Sequence, residues 1–253
     1  GSEKGWTMAK SSVLSQADVM ALLEDSSGSK RAETARKIAI EFNQAELTEI
    51  QRRLAEDIFR LMVKDAEIRV REALSSNLKS NPLVPRDVAV SMAQDVTSVA
   101  LPVLQYSEVL TDEDLVAIIR SQDTEKQVAI AGRASVSETV SDAIVDTEKE
   151  EAVTRLVANP GADISEGSLG RVVDSLGDRE AVQEAMVKRP RLPVTVAERL
   201  VTLVSEHLKA EIAQRFDLPA DTMTDLILQI RERAVLSLSS DSNDDDLYQL
   251  VRQ

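Results

Sequence analysis

Short amphipathic stretches, each opened by an aspartate and closed by a polar residue, recur through the middle of this 253-residue chain. They begin at Asp65, Asp95, Asp123, Asp146 and Asp178, intervals of 30, 28, 23 and 32 residues, and end at Asn77, Ser107, Arg133, Asn159 and Arg189. Most run on, after a Ser, Thr or Pro, into a second apolar stretch. Two short helices per period have too little area to bury an apolar stripe alone, so neighbours must stack and share a core. The expected fold is therefore all-α: a right-handed α-solenoid of short helix pairs with longer terminal helices.

Flanking segments agree. Ala32, Ala35, Ile38, Ala39 and Phe42 form a stripe at helical spacing, as do Leu47, Ile50, Leu54, Ile58, Leu61 and Met62. Longer stripes run through Ala197, Leu200, Val201, Val204, Leu208, Ile212 and Phe216, and through Met223, Leu226, Ile227, Ile230 and Ala234. Thr111–Asp114 and Thr195–Glu198 read as capping boxes, and Ser15, Ser137 and Ser165 as helix starts. Prolines 82, 85, 102, 160, 190 and 193 punctuate the middle of the chain. Alternating, turn-bounded strand patterns are missing. Only six aromatic residues occur, which suits small, closely spaced helices built from Ala, Val, Leu and Ile.

The unit Asp65–Asn77 resembles a HEAT or armadillo-type repeat. From Leu14 to about Leu236 the chain is similar to a bacterial domain family of unknown function built of such repeats. The stretches KRAETARKIA, LAEDIFRLMVKDAEIRVREAL, SVALPVLQYSEVLTDEDL, KQVAIAGR, LVANPGADIS and KRPRLPVTVAERLVTLVSEHL carry the likeness. The resemblance implies HEAT-like helix pairs and family members longer than this chain; it carries over no catalytic residue.

Residues 1–7 read as vector-derived or upstream, with Met8 as a native start. Residues 8–238 are expected to form one helical-repeat domain: N-terminal helices over 8–64, short repeats over 65–192 and a terminal helix pair over 193–238. Residues 239–253 read as an acidic linker followed by the start of a truncated segment, because Leu247, Leu250 and Val251 begin a helical spacing too short to hold itself in water. The longest apolar run is Val99–Leu104, far short of the ~20 residues a membrane span needs. With no apolar leader after Met8, the expected location is cytoplasmic.

The chain has no cysteine, which removes disulfides, thiolate nucleophiles and sulfur-ligated zinc. Its single histidine, His207, sits near the edge of a helical stripe and has no second histidine to share a metal. Gly161, Gly167, Gly170 and Gly177 follow no strand and match no phosphate loop; they read as turns and a helix C-cap. Asp241, Asn243 and Asp245 imitate the start of a calcium loop, but Asp246 and Arg252 stand where its glycine and glutamate belong. Carboxylate groups at 112–114 and 148–151 fall at helix starts, where capping accounts for them. No catalytic residue, cofactor or metal ligand is expected.

Basic residues cluster at Arg52, Arg53, Arg60, Lys64, Arg69 and Arg71, and again at Lys188, Arg189 and Arg191. Arg69, Arg71, Arg133, Arg189 and Arg191 are the candidates for partner or anion binding. The competing reading pairs Arg69 and Arg71 with Asp65, Glu67 and Glu72. A net charge of −14 disfavours long nucleic acid. The leading functional expectation is a non-enzymatic scaffold or adaptor that binds a basic or amphipathic segment of another protein, with homo-oligomerisation open. The alternatives are a receptor for a small nucleotide-like anion and, third, a carboxylate-based hydrolase.

Overall fold

The computed structural model describes residues 20, 24, 27–215 and 220–239. Among these residues the chain is all-helical. Thirteen helices follow one another: α1 (Gly28–Gln44), α2 (Glu49–Met62), α3 (Ile68–Leu78), α4 (Arg86–Ala93), α5 (Thr97–Tyr106), α6 (Asp112–Arg120), α7 (Thr124–Ala131), α8 (Glu138–Asp146), α9 (Glu150–Val157), α10 (Glu166–Leu176), α11 (Glu180–Val187), α12 (Val194–Arg215) and α13 (Ala220–Ser239). No strand forms among the described residues; Val136 and Ala162 make one isolated parallel bridge. Gly161 lies at that bridge so close to the Ala134 carbonyl that a Cβ would collide with it.

Helix starts follow local chemistry. Ser27, Ser137 and Ser165 cap α1, α8 and α10 through their hydroxyls, and Thr111 forms the expected capping box with Asp114. A second box, Thr48 with Gln51, opens α2. Thr195 makes no box: α12 starts one residue earlier, and the Thr195 hydroxyl donates instead to Glu166 of α10 at 2.7 Å. Pro102 does not end a helix but sits inside α5. Gly167 and Gly170 lie within α10 rather than in turns, while Gly177 is its C-cap. Asp146 closes α8 instead of opening α9, which starts after Glu148, a residue at φ 54°. The start expected at Ser15 and the segment from Leu247 lie outside the described residues.

The chain forms two compact units, Gly1–Ile130 and Ala131–Gln253. In the first, α1 packs on α3 and α3 on α5, while α2 packs on α4; α1·α2, α2·α3 and α4·α5 contacts join these two rows. In the second, α9 packs on α11, and α8, α10 and α12 follow one another, with α8·α9 contacts across; α13 lies on α12. Alternate helices are thus neighbours within each unit. Phe42 of α1 and Phe59 of α2 meet edge to face, ring centres 5.1 Å apart. Leu74, Leu104, Ile144, Leu156 and Met186 are fully buried, each contributing about 1.5–3 kcal/mol.

Of the opening aspartates, Asp65 and Asp95 accept from the preceding helix of the row, whereas Asp123 accepts from the Lys126 N–H of its own helix and Asp146 from Arg171 of a later one. Arg31 of α1 donates to both carboxylate oxygens of Asp65 (2.9 and 3.1 Å). Arg71 of α3 donates to both of Asp95 (2.7 and 3.1 Å) and, with its third nitrogen, to the Asp65 carbonyl (2.7 Å). All four side chains are largely buried. Further pairs join successive helices in each unit: in the first, the exposed Arg60 to Asp87 at 2.8 Å and Arg86 to the largely buried Asp114; in the second, the exposed Arg171 to Asp146 and Arg199 to Asp174. Exposed pairs add little each; the buried ones are costly to break, because removing one partner strands a desolvated charge.

Two consequences can be measured. Arg71→Ala should lower the unfolding free energy by about 2–4 kcal/mol in a urea titration, since it strands the Asp95 carboxylate and the Asp65 carbonyl. Burial pushes the Asp65 carboxyl up, but Arg31, the Glu67 backbone N–H and the charge of Arg71 outweigh it and hold the group below its usual range. The Arg60 and Arg86 hydrogen bonds, each partly opposed by desolvation, likewise lower Asp87 and Asp114. Depressed carboxyls stabilise the fold above their unfolded pKa of about 4, and that contribution is lost as pH falls through the folded values. Thermal melts should therefore show stability dropping below about pH 4, less steeply in Asp65→Asn.

Candidate functional site

The arginines singled out from the sequence occupy different settings. In the first unit, Arg71 is committed to Asp95 and the Asp65 carbonyl. Arg69 is more than half exposed, donates to the Ser29 hydroxyl at 2.7 Å and stands 3.8 Å from Glu67. In the second unit, Arg189 follows α11 and donates to the carbonyls of Val157 (2.9 Å), Asn159 (3.3 Å) and Ala162 (2.9 Å). Burial pulls its guanidinium below the ordinary arginine range, and nearby Asp163 opposes that shift. Arg133 is half-buried, and its carbonyl accepts from Asn159 at 2.7 Å; Arg191 is exposed.

The polar residues expected at the ends of the recurring units do similar work. The Asn159 side chain donates to the Ala131 carbonyl (2.9 Å) as well as to that of Arg133, and accepts from the Gly161 N–H (2.9 Å). Lys126, almost wholly buried, reaches the carbonyls of Ala93 (3.2 Å) and Asp95 (2.6 Å) within the first unit. These side chains satisfy carbonyls at helix ends and loops. His207 is exposed. Among the described residues, no three His, Asp or Glu side chains are grouped to hold a metal, and no helix is long and apolar enough to cross a membrane.

Two surfaces stand out, one in each unit. Helix α2 buries Ala55, Ile58, Phe59 and Met62, yet Ile50 of the expected core stripe is 82 % exposed and Leu61 is 52 % exposed. The stripe has split. Ile50, Leu54 and Leu61 lie within about 40° of one another around the helix and about 110° from the buried face, as the 100° step per residue requires. Within the helix they follow a 4–7 spacing that forms a seam about 17 Å long, and Leu47 precedes it outside the helix. Asp57 occupies the position between Leu54 and Leu61, paired with Arg60 at 3.0 Å, and Arg53 flanks the seam, paired with Glu49 at 3.0 Å.

The second surface is a groove of about 610 Å³ between α12 and α13, lined by Glu198, Arg199, Thr202, Leu228, Arg231, Glu232, Val235 and Leu236. Arg231 donates to the Thr202 hydroxyl across it at 2.5 Å. Of the stripes expected here, Ala197, Leu200, Val201 and Ile227 are buried, but Val204 and Ile230 are partly exposed; Phe216 lies outside the described residues. Sequence spacing marks the terminal pair as apolar, able to cap the repeats or to face a second subunit, but it does not separate the α2 seam from the core face, because the period marks an apolar face without saying what covers it.

Residues 99–253, more than half of the chain, match the model of the family described as "Uncharacterised protein conserved in bacteria (DUF2336)". The chain belongs to this family. The bacterial family of unknown function expected from the sequence is thus shown, although the DUF2336 match begins at Val99 rather than near Leu14. It includes α12, α13 and the groove between them, while the α2 seam precedes it. No curated protein and no solved structure matches the chain.

Arg189 supplies a test of the structural assignment inside the DUF2336 region. Arg189→Ala should cost about 2 kcal/mol in chemical denaturation by stranding carbonyls at the end of α9, and Arg189→Lys should not restore it, because one ammonium cannot reproduce the guanidinium fork.

Proposed function

We propose that this chain is a non-enzymatic protein–protein interaction scaffold, a right-handed α-solenoid of HEAT-like helix pairs whose α2 seam receives an amphipathic helix of another protein. The alternation of neighbouring helices within each unit supports the repeat reading. The exposed seam on α2 carries the functional one. An apolar side chain as open as Ile50, in register with Leu54 and Leu61, is the pattern by which one helix receives another. The partner helix presents apolar residues at matching spacing and a Lys or Arg opposite Asp57. A cation there suits both the seam and a chain of net charge −14.

Ile50→Asp combined with Leu61→Asp should leave the melting temperature nearly unchanged, since both side chains are already exposed. The partner that the unmodified chain enriches stoichiometrically from bacterial cytosol, identified by mass spectrometry, should be lost from the double variant. Retention of the same partner at the same stoichiometry, or repeated failure to enrich one, would count against the seam.

A further inference from the structure

We infer that the α12–α13 groove is the contact between two copies of this chain, related by a two-fold axis, with α13 of each copy seated in the groove of the other. The helices themselves call for a second layer. α12 and α13 have 22 and 20 residues, about 33 and 30 Å long, whereas α10, on which α12 packs, has 11. α12 meets α10 along its first half, through Thr195 and Arg199, and the groove opens beside α13 along that same half. α13 buries Ile227 yet leaves Leu228, Ile230 and Leu236 at 44–51 % exposure. Its apolar arc is wider than a single partner helix can cover.

Charge selects a twin as the occupant. The chain carries −14 overall, so two copies repel across most of their surfaces. α12 and α13 together hold six acidic and five basic side chains and account for only one of those fourteen charges. The groove rim is balanced as well, with Glu198 and Arg199 on one wall and Arg231 and Glu232 on the other. A two-fold operation therefore adds no like-charge excess. It is also reciprocal: Leu228 and Leu236 line each copy's groove and form the ridge that fills the other's, as an isologous interface requires. This surface is separate from the α2 seam and stands whether or not the seam binds a partner.

Sedimentation of the full 253-residue chain, at concentrations up to on the order of 100 µM, should give twice the 27.7 kDa chain mass. The dimer fraction should rise with added salt, because salt screens the repulsion between acidic bodies while the contact is apolar. Leu228→Glu with Leu236→Glu should weaken association at least ~10-fold with unchanged helical circular dichroism. A wild-type monomer throughout that range, or a dimer that survives both substitutions, would overturn the inference. Should the double variant not fold, Val235→Cys in this cysteine-free chain decides: a short bis-maleimide should link two copies, and its failure to do so refutes the contact.

Discussion

An eight-residue helix is almost entirely ends. Its first four N–H groups and last four carbonyls lack partners within the helix, so a chain built from helices as short as α4, α7, α9 and α11 must satisfy those groups from outside. This requirement organises the molecule. Lys126, Asn159 and Arg189 each reach carbonyls at helix ends and in the loops beyond them, and Arg71 does the same for Asp65 while gripping the Asp95 carboxylate. Such side chains cost desolvation, recovered only because every contact is a hydrogen bond to an otherwise stranded acceptor. Apolar packing supplies most of the stabilisation; the polar ties hold each helix at one register against its neighbours.

The same economy shapes the surface. Many arginines on the α2–α4–α6 and α8–α10–α12 rows are paired with acids on an adjacent helix, as Arg60, Arg86, Arg171 and Arg199 are. A surface whose charges are paired among themselves offers little for a small anion to grip, and Arg71 and Arg189 are further withdrawn by burial. Exposed apolar side chains then become the informative features. They occur on α2, and on α13 where Leu228 and Leu236 line the α12–α13 groove.

Much of the fold was legible because its signals are local. Ser137, Ser165 and Thr111 announced their helices through side-chain capping, which depends on residues two or three positions away. The stripe Ala35, Ile38, Ala39 and Phe42 was buried as spaced, since α1 has its neighbours α2 and α3 on that face. The candidate sites were less legible. Arg69, Arg71 and Arg189 drew attention through clustering, but whether a guanidinium faces a partner or a carbonyl of its own chain depends on residues about 24 to 40 positions away. Thr195 shows the same limit. Its box was complete in sequence, yet Glu166 on the adjacent helix took the hydroxyl.

The sequence by itself determined that this chain is helical, that its helices are short, and that its family is a bacterial one of unknown function. Period, caps and composition act over a few residues and need no partner to be read. Only the tertiary structure decided which half of a stripe is core. Ile50 and Ile58 are equally apolar and share one helix, yet one is open to water and the other enclosed. The difference lies in where α1, α3 and α4 stand around α2, and the spacing of residues along a single helix holds no information about that.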